Sequence, residues 1–189
     1  MALGEKESIQ MRIGRQEDQD HPAVLIRKYR PSDHGHCRDL WAELTMWHRG
    51  IYDDGTIGGT DPGRHFDSHL REHGPRSILI AEMNGQIVGM AGLINNNGDY
   101  ELEPLIVRKK YRGQGIGRML TQAVINAARN EGANLLNVKP VARNDPAIRF
   151  FHELGFDTLG HIQMFIDFSA ADRQKWKGKK RLAGKDFRY

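Results

Sequence analysis

Cysteine is almost absent from this chain, because Cys37 is the only one among 189 residues. An intrachain disulfide is therefore impossible, and a hydrophobic core must hold the fold together. The same thiol is a weak candidate for a catalytic nucleophile, since an isolated cysteine beside His36 near a predicted helix is more often buried. Composition thus predicts a core-stabilised domain without disulfide chemistry.

Long hydrophobic runs are absent as well. No stretch approaches the roughly 18 apolar residues that a membrane span needs. Residues 1–20 are polar and charged and lack the apolar segment of a secretion signal. These absences predict a cytoplasmic protein with no membrane partner. The length predicts one domain at residues 23–168 between a polar tail at 1–22 and a basic tail at 169–189.

Acidic residues are scarce at the C-terminal end. From Arg173 to Tyr189 the chain carries eight lysines and arginines against one acid, Asp186. A basic tail of this kind can bind nucleic acid or an acidic partner. Because few aromatic residues interleave with the charges, a solvated, partly disordered tail is the main interpretation. An RNA- or ribosome-associated protein that uses the tail is the alternative.

The spacing of hydrophobic residues predicts an α/β domain. Strands alternate with amphipathic helices, and Asn84-Gly85 is a strong hairpin signal. The predicted elements are a strand at 23–28, a helix of about four turns after Pro31, a short helix at 65–73, strands at 77–83, 86–93 and 100–107, a helix at 115–130, a strand at 134–141, a helix at 144–153 and a last strand at 161–168.

Three glycines separate the predicted strand at 100–107 from the helix that follows. Gly113, Gly115 and Gly117 lack the Cβ atoms that would block a ligand, so backbone N–H groups and the positive helix end can face an anion. Two nucleotide motifs fail on spacing. A phosphate loop needs Lys and Ser or Thr where Arg118 and Met119 stand, and the dinucleotide fingerprint needs glycine at position 118. A tight turn without a ligand is the remaining alternative.

The run from Arg112 to Gly117 matches the pattern Arg/Gln-x-x-Gly-x-Gly/Ala. In this loop and in its element order, the chain resembles the GNAT superfamily of N-acetyltransferases over roughly residues 23–168. The resemblance implies an α/β fold with a mixed, mostly antiparallel central sheet flanked by helices. It implies acetyl-CoA as cosubstrate and a primary amine, on a small molecule or a peptide, as acceptor. Direct attack in a ternary complex and a homodimer are further implications.

The resemblance also implies which residues bind acetyl-CoA. A splayed strand would bind the pantetheine arm, the N–H of Val107 would polarise the thioester carbonyl, and the glycine loop would bind the pyrophosphate. The implied cofactor-binding residues are Leu105, Ile106, Val107, Arg108, Arg112, Gly113, Gln114, Gly115, Ile116, Gly117, Arg118, Asn144 and Phe151. Phe151 stands where the family commonly has the tyrosine that protonates the departing sulfur. This difference from the family pattern favours an alternative function, an acyl-CoA-binding sensor with little turnover.

Two glutamates on the predicted strand are candidates for proton removal from the amine. Glu101 and Glu103 are expected to alternate with Leu105 and Val107 onto one face. A base is needed because an alkyl amine costs about 4.6 kcal/mol to deprotonate at pH 7. Glu101 is the first choice, because the resemblance implies that it stands where family members with a catalytic glutamate often have that residue. Glu103 is the second choice. The alternative for each is a solubilising charge at a sheet edge.

The first two helices and their loop are expected to form the acceptor pocket, as the resemblance implies. The expected wall residues are Trp47, His48, Tyr52, Asp53 and Asp54. Together with Asp61, the two aspartates predict a cationic acceptor. His65, His69 and His73 recur at helical spacing, but no carboxylate cluster completes a ligand set, so no metal site is predicted.

Overall fold

The computed structural model describes residues 23–168, 176 and 178–189. The polar tail expected at residues 1–22 lies outside the described residues. The elements are β1 (Val24–Lys28), α1 (His34–Tyr52), α2 (Arg64–His73), β2 (Ile78–Met83), β3 (Gln86–Asn96), β4 (Asp99–Val107), α3 (Ile116–Asn130), β5 (Leu136–Asn137), α4 (Asp145–His152), β6 (Lys179–Leu182) and β7 (Lys185–Arg188). Short 3-10 turns at Pro31–Asp33, Pro75–Ser77 and Lys109–Tyr111 connect some of them.

The central sheet has five strands in the order β1-β2-β3-β4-β5. The first four pair antiparallel, and β5 pairs parallel to β4. Asn84 and Gly85 both have positive φ, as a tight two-residue hairpin turn requires, and Asn97-Gly98 repeats this at the next turn. The predicted mixed, mostly antiparallel fold is confirmed.

Each face of the sheet carries its own hydrophobic core. On one face, the buried residues of α3 and Phe151 of α4 pack against β2, β3 and β4. On the other face, Leu40 of α1 and Phe66 of α2 pack against Ile80 and Met90. Covering both faces with helices buries the apolar residues of β3, which read as an almost continuous hydrophobic run.

Two predicted elements differ from the structure, and one hairpin was not predicted. The strand expected at 134–141 is reduced to Leu136–Asn137. The segment 161–168, expected as the last strand, forms no strand, and its side chains are exposed. In the basic tail, which is expected to be solvated and partly disordered, residues 179–188 form a hairpin that the sequence did not predict. Its turn is formed by Ala183 and Gly184, which both have positive φ. Glycine is a common turn residue but alanine is not, so the sequence contains only a weak signal for this turn.

The expectation that Glu101, Glu103, Leu105 and Val107 share one face of β4 is wrong. Leu105 and Val107 pack with Tyr100 and Leu102 in the core beneath α3. By alternation from Leu102, the two glutamates lie on the opposite face, toward α1 and α2. The pairing of β3 with β4 shifts register between Ala91 and Leu93. Side chains of β4 before and after this irregularity therefore alternate out of step, so residues two apart across it do not share a face.

Candidate functional site

The glycine loop lies between the end of β4 and the start of α3. Gly113 and Gly115 have φ values of 79° and 80°, a conformation that favours glycine, and both face open space. The first intrahelical hydrogen bond of α3 runs from the Met119 N–H to the Gly115 carbonyl. The N–H groups of residues 116–118 therefore have no acceptor within the helix and can bind an anion.

Gly117 is not required in the same way. A Cβ atom at this position would lie 3.4 Å from the ring of Phe150 on α4 and 3.8 Å from a methyl group of Val107. Both distances are ordinary van der Waals contacts, so a Cβ atom would fit here. Two of the three glycines shape the loop by their positive φ, and the third is required neither by its backbone conformation nor by packing.

Among the described residues, the edge of β4 that faces β5 is unpaired along most of its length. Only Tyr100 and Glu101 pair with β5, opposite Leu136 and Asn137. Continuing that register would place Pro104 opposite Pro140. Neither proline has an N–H to donate, so the ladder cannot continue past them.

The open edge presents backbone groups beside the glycine loop. The Arg108 N–H donates to the Val88 carbonyl of β3 at 2.9 Å. Because successive peptide groups in a strand point to opposite edges, the N–H groups of Val107 and Leu105 point to the open edge. An extended ligand could therefore pair with β4 where a longer β5 would otherwise lie.

The cations around the loop have partners within the protein. Arg112 donates from Nε to the Val107 carbonyl at 2.9 Å, and its guanidinium lies over the Trp47 ring at 5.2 Å. Arg108 donates to the Ile87 carbonyl at 3.0 Å and lies 4.0 Å from Asp39 of α1. Arg118 is exposed on the first turn of α3. The structure thus brings Arg112 and Arg118 to the loop, whereas Arg108 is engaged with β3 and α1.

The two glutamates of β4 have different surroundings. Glu101 is 6% exposed, and its carboxylate accepts a hydrogen bond from the Lys139 ammonium, which raises the pKa of Lys139. Glu103 keeps an exposed surface, yet partial desolvation of its carboxyl and the nearby charge of Glu101 raise its pKa. Lys139 was not among the predicted site residues, because only the β4-β5 pairing brings it to Glu101.

The start of α4 lies at the far side of the open edge. The Asn144 side-chain oxygen accepts a hydrogen bond from the Ala147 N–H at 3.2 Å and caps the helix. The amide nitrogen and the second lone pair of the side-chain oxygen are the groups that Asn144 can still offer to a ligand. Phe151 is 9% exposed and packs between Phe150 and Phe156, with ring centroids 5.3 and 5.6 Å apart. It lies in the core, and a role toward the cofactor stays a prediction.

The predicted acceptor wall is partly assembled. Trp47, near the C-terminal end of α1, is 41% exposed and lies under the Arg112 guanidinium. Burial lowers the pKa of the neighbouring His48. Tyr52 lies 4.9 Å from the guanidinium carbon of Arg143, in the loop before α4. Sequence reasoning missed Arg143, since nothing local marks a residue that joins α1 to the α4 loop.

The acidic loop after α1 is tied into local structure. The backbone N–H and the hydroxyl of Thr56 both donate to the Asp54 carboxylate, at 2.9 and 2.6 Å. Asp61 forms an ion pair with Arg38 at 2.7 Å, and Asp53 ends α1 in a left-handed conformation. These contacts explain why acids occur in this loop, so the loop gives no independent support to a cationic acceptor.

The remaining candidates for special chemistry are structural. Burial raises the pKa of the Cys37 thiol to about 12, which makes it a poor nucleophile. Burial and the neighbouring His73 lower the pKa of His69 to about 4. Within the described ranges, no three His, Cys, Asp or Glu side chains are grouped to hold a metal ion. No helix in that part of the chain is long and apolar enough to cross a membrane.

A loop with free backbone N–H groups beside an open strand edge has the geometry that an extended ligand carrying phosphate requires. Comparison with known proteins specifies the class. The model of the acetyltransferase (GNAT) family matches residues 39–156. The chain therefore belongs to the acetyltransferase (GNAT) family, whose members are acyltransferases that use acetyl-CoA.

Curated relatives and solved structures agree with this membership. The chain is 31% identical to the N-alpha-acetyltransferase RimI of Mycobacterium tuberculosis over 158 residues, covering 81% of this chain and 90% of that protein. It is 30% identical to N-acetyltransferase family 8 member 2 of Rattus norvegicus over 105 residues, covering 52% of this chain. The chain spans about half the length of that rat relative, 46%.

A solved structure shows the same fold. The paiA N-acetyltransferase of Thermoplasma acidophilum, in complex with coenzyme A, superimposes with a TM-score of 0.63 at 20% identity. The superposition covers 70% of this chain and 89% of that one.

Proposed function

We propose that this protein transfers the acetyl group of acetyl-CoA to a primary amine, by direct attack of the amine in a ternary complex. The observation that carries the proposal is the open edge of β4 next to the glycine loop. The loop would bind the pyrophosphate through N–H groups of residues 113–118, and the open edge would bind the pantetheine arm. The N–H of Val107 would then donate to the thioester carbonyl as negative charge develops on its oxygen.

The acceptor proposed for the first tests is the α-amine of a peptide. The supporting comparison is the RimI relative, whose name is that of an N-alpha-acetyltransferase. An α-amine has a pKa of about 7.7–8.0, so its deprotonation at pH 7 costs only about 1 kcal/mol. A small alkyl amine is the second class of acceptor to be tested.

Glu103 is the residue we propose as the base. A general base works best when its pKa approaches the working pH, and desolvation moves the pKa of Glu103 in that direction. Glu101 is less suited, since it is buried and its carboxylate already holds the Lys139 ammonium. This reverses the order expected from the sequence alone.

An assay of thiol release from acetyl-CoA tests the proposed function, with a panel of peptides and alkyl amines as acceptors. We expect amine-dependent thiol release, together with a rise in the unfolding temperature on addition of acetyl-CoA. A thermal shift without release for any amine would instead support the acyl-CoA sensor that Phe151 favours. The absence of both a thermal shift and thiol release would contradict both functions.

A further inference from the structure

A short turn connects the end of β4 to the glycine loop. This 3-10 turn, Lys109–Tyr111, lies between the strand edge proposed for the pantetheine arm and the glycines proposed for the pyrophosphate. Its first residue, Lys109, is exposed, and the first N–H groups of a helical turn have no acceptor inside that turn. Whatever holds the turn in place therefore affects the geometry of the proposed cofactor site.

A carboxylate from α1 holds the first residue of this turn. Glu43 Oε1 accepts a hydrogen bond from the Lys109 N–H at 2.5 Å, across 66 positions of sequence. Arg108, which precedes the turn, forms no side-chain cap. The Glu43 side chain is 29% exposed, and a bond from a backbone N–H to an ionised carboxylate is stronger than one between neutral groups. Glu43 thus supplies from another element the cap that the turn lacks locally.

Glu43 also lies near a cation of the loop, but that contact is weaker. Its Oε1 atom is 3.8 Å from Arg112 Nη2. Other contacts already fix Arg112, since its Nε donates to the Val107 carbonyl and its guanidinium lies over the Trp47 ring. An ion pair between partly exposed groups at this distance stabilises little. The short bond to Lys109 is therefore the contact through which Glu43 acts.

The charge of Glu43 is unfavourable for an anionic ligand. A carboxylate beside a phosphate site repels the phosphate, so electrostatics alone would exclude an acid here. Asp39 lies one turn earlier on the same face of α1, 4.0 Å from Arg108. Its side chain is 68% exposed, so solvent screens its charge more than that of Glu43. An acid at position 43 is thus explained by the geometry of the turn and not by its charge.

We propose that Glu43 is a positioning residue for acetyl-CoA, because its bond to Lys109 fixes the point from which the chain enters the glycine loop. This inference rests on the proposed function, since it concerns the same cofactor site. Gly113 and Gly115 give the loop wide conformational freedom. Without a fixed entry point, the loop N–H groups would have to be ordered when the ligand binds, and that ordering weakens binding.

Equilibrium binding of acetyl-CoA, measured by calorimetry on the full chain, tests the inference. Glu43→Ala removes the acceptor oxygen and should raise the Kd about tenfold. It should raise the KM for acetyl-CoA in parallel, with kcat at saturating acetyl-CoA unchanged. Glu43→Gln keeps an oxygen that can accept the Lys109 N–H, so its Kd should stay within about twofold of wild type. The matched control Asp39→Ala removes a charge one turn away and should also stay within about twofold.

Hydrogen exchange on the unliganded protein tests the bond itself. The Lys109 amide should exchange slowly in the wild-type protein and in Glu43→Gln, and about tenfold faster in Glu43→Ala. Alanine is a good helix former, so α1 should persist in that variant, and the exchange of its own amides checks this. This measurement needs neither ligand nor turnover.

The outcomes separate this inference from the proposed function. An unchanged Kd in Glu43→Ala, or an equal rise in Glu43→Ala and Glu43→Gln, would overturn the positioning role while the wild-type protein still binds and turns over acetyl-CoA. Fast exchange of the Lys109 amide in the wild-type protein would overturn it as well. A wild-type protein that binds no acetyl-CoA would contradict the proposed function, and the positioning role with it.

Discussion

Replacing Glu103 with Gln tests the proposed base while keeping the size of the side chain. An alkyl amine with a pKa of about 10.4 costs about 4.6 kcal/mol to deprotonate at pH 7, and a positioned base contributes about 10²–10⁴ in rate. We therefore expect kcat/KM for an alkyl amine at pH 7 to fall by about 10² or more. Thiol release from acetyl-CoA measures the rate, and the KM for acetyl-CoA should not change.

The size of the defect should depend on how protonated the acceptor is. At pH 9 the same alkyl amine costs only about 1.9 kcal/mol to deprotonate, so the defect of Glu103→Gln should shrink by up to about 10². A peptide α-amine costs about 1 kcal/mol at pH 7, and its defect should be correspondingly small. In the wild-type protein, kcat/KM should fall with decreasing pH as Glu103 is protonated. That fall should begin above the ordinary glutamate pKa of about 4.3, because desolvation raises the pKa of Glu103.

Glu101→Gln is the matched control, because it removes the same charge two residues away. Its loss should be smaller than that of Glu103→Gln and independent of pH between 7 and 9, since Glu101 is held by Lys139. A pH-dependent loss in Glu101→Gln, with none in Glu103→Gln, would transfer the role to Glu101. Equal losses at both pH values in both variants would show that neither carboxylate accepts the proton.

Three further substitutions test the loop, the thiol-leaving step and the strand irregularity. Gly115→Asp should abolish the thermal shift caused by acetyl-CoA, through bulk and like charge at a φ of 80°; an unchanged shift would move the pyrophosphate elsewhere. Phe151→Tyr should raise turnover by up to about 10², if its hydroxyl reaches the departing sulfur; lower stability with no gain in turnover would mean that the hydroxyl is buried without a partner. Gly92→Ala should destabilise the fold by about 1–3 kcal/mol in chemical denaturation, because its Cβ would lie 2.0 Å from the Glu103 carbonyl oxygen. Gly50→Ala, in the open interior of α1, is its control and should stabilise by about 0.5–1 kcal/mol; equal effects of the two would refute the steric argument.

The features that sequence predicts well here are local. Asn84-Gly85 encodes its own turn, because both residues tolerate positive φ. Asn144 and Pro146 mark the start of α4 by a cap and a preset φ, and the structure confirms both. The glycine loop is likewise determined by adjacent residues. In each case the chemistry that selects the conformation lies within a few positions of the turn or helix that it shapes.

The features that sequence misses depend on contacts between distant segments. The phase of β4 after Glu103 follows from a register shift against β3, which no alternation within β4 reveals. The partner of Glu101 is Lys139, 38 positions along the chain. Arg143 meets Tyr52 only because the loop before α4 returns to the end of α1. Residue types predicted which groups could act, but the pairing between elements decided which of them are available.

Two prolines at matching register in β4 and β5 shape the edge on which the proposed function depends. Past Glu101, neither Pro104 nor Pro140 can donate to the ladder, so the strands separate there and leave the inner edge of β4 open. The pantetheine arm is proposed to bind at this edge. The same interruption keeps β5 to two paired residues, too few to stabilise the sheet edge by themselves.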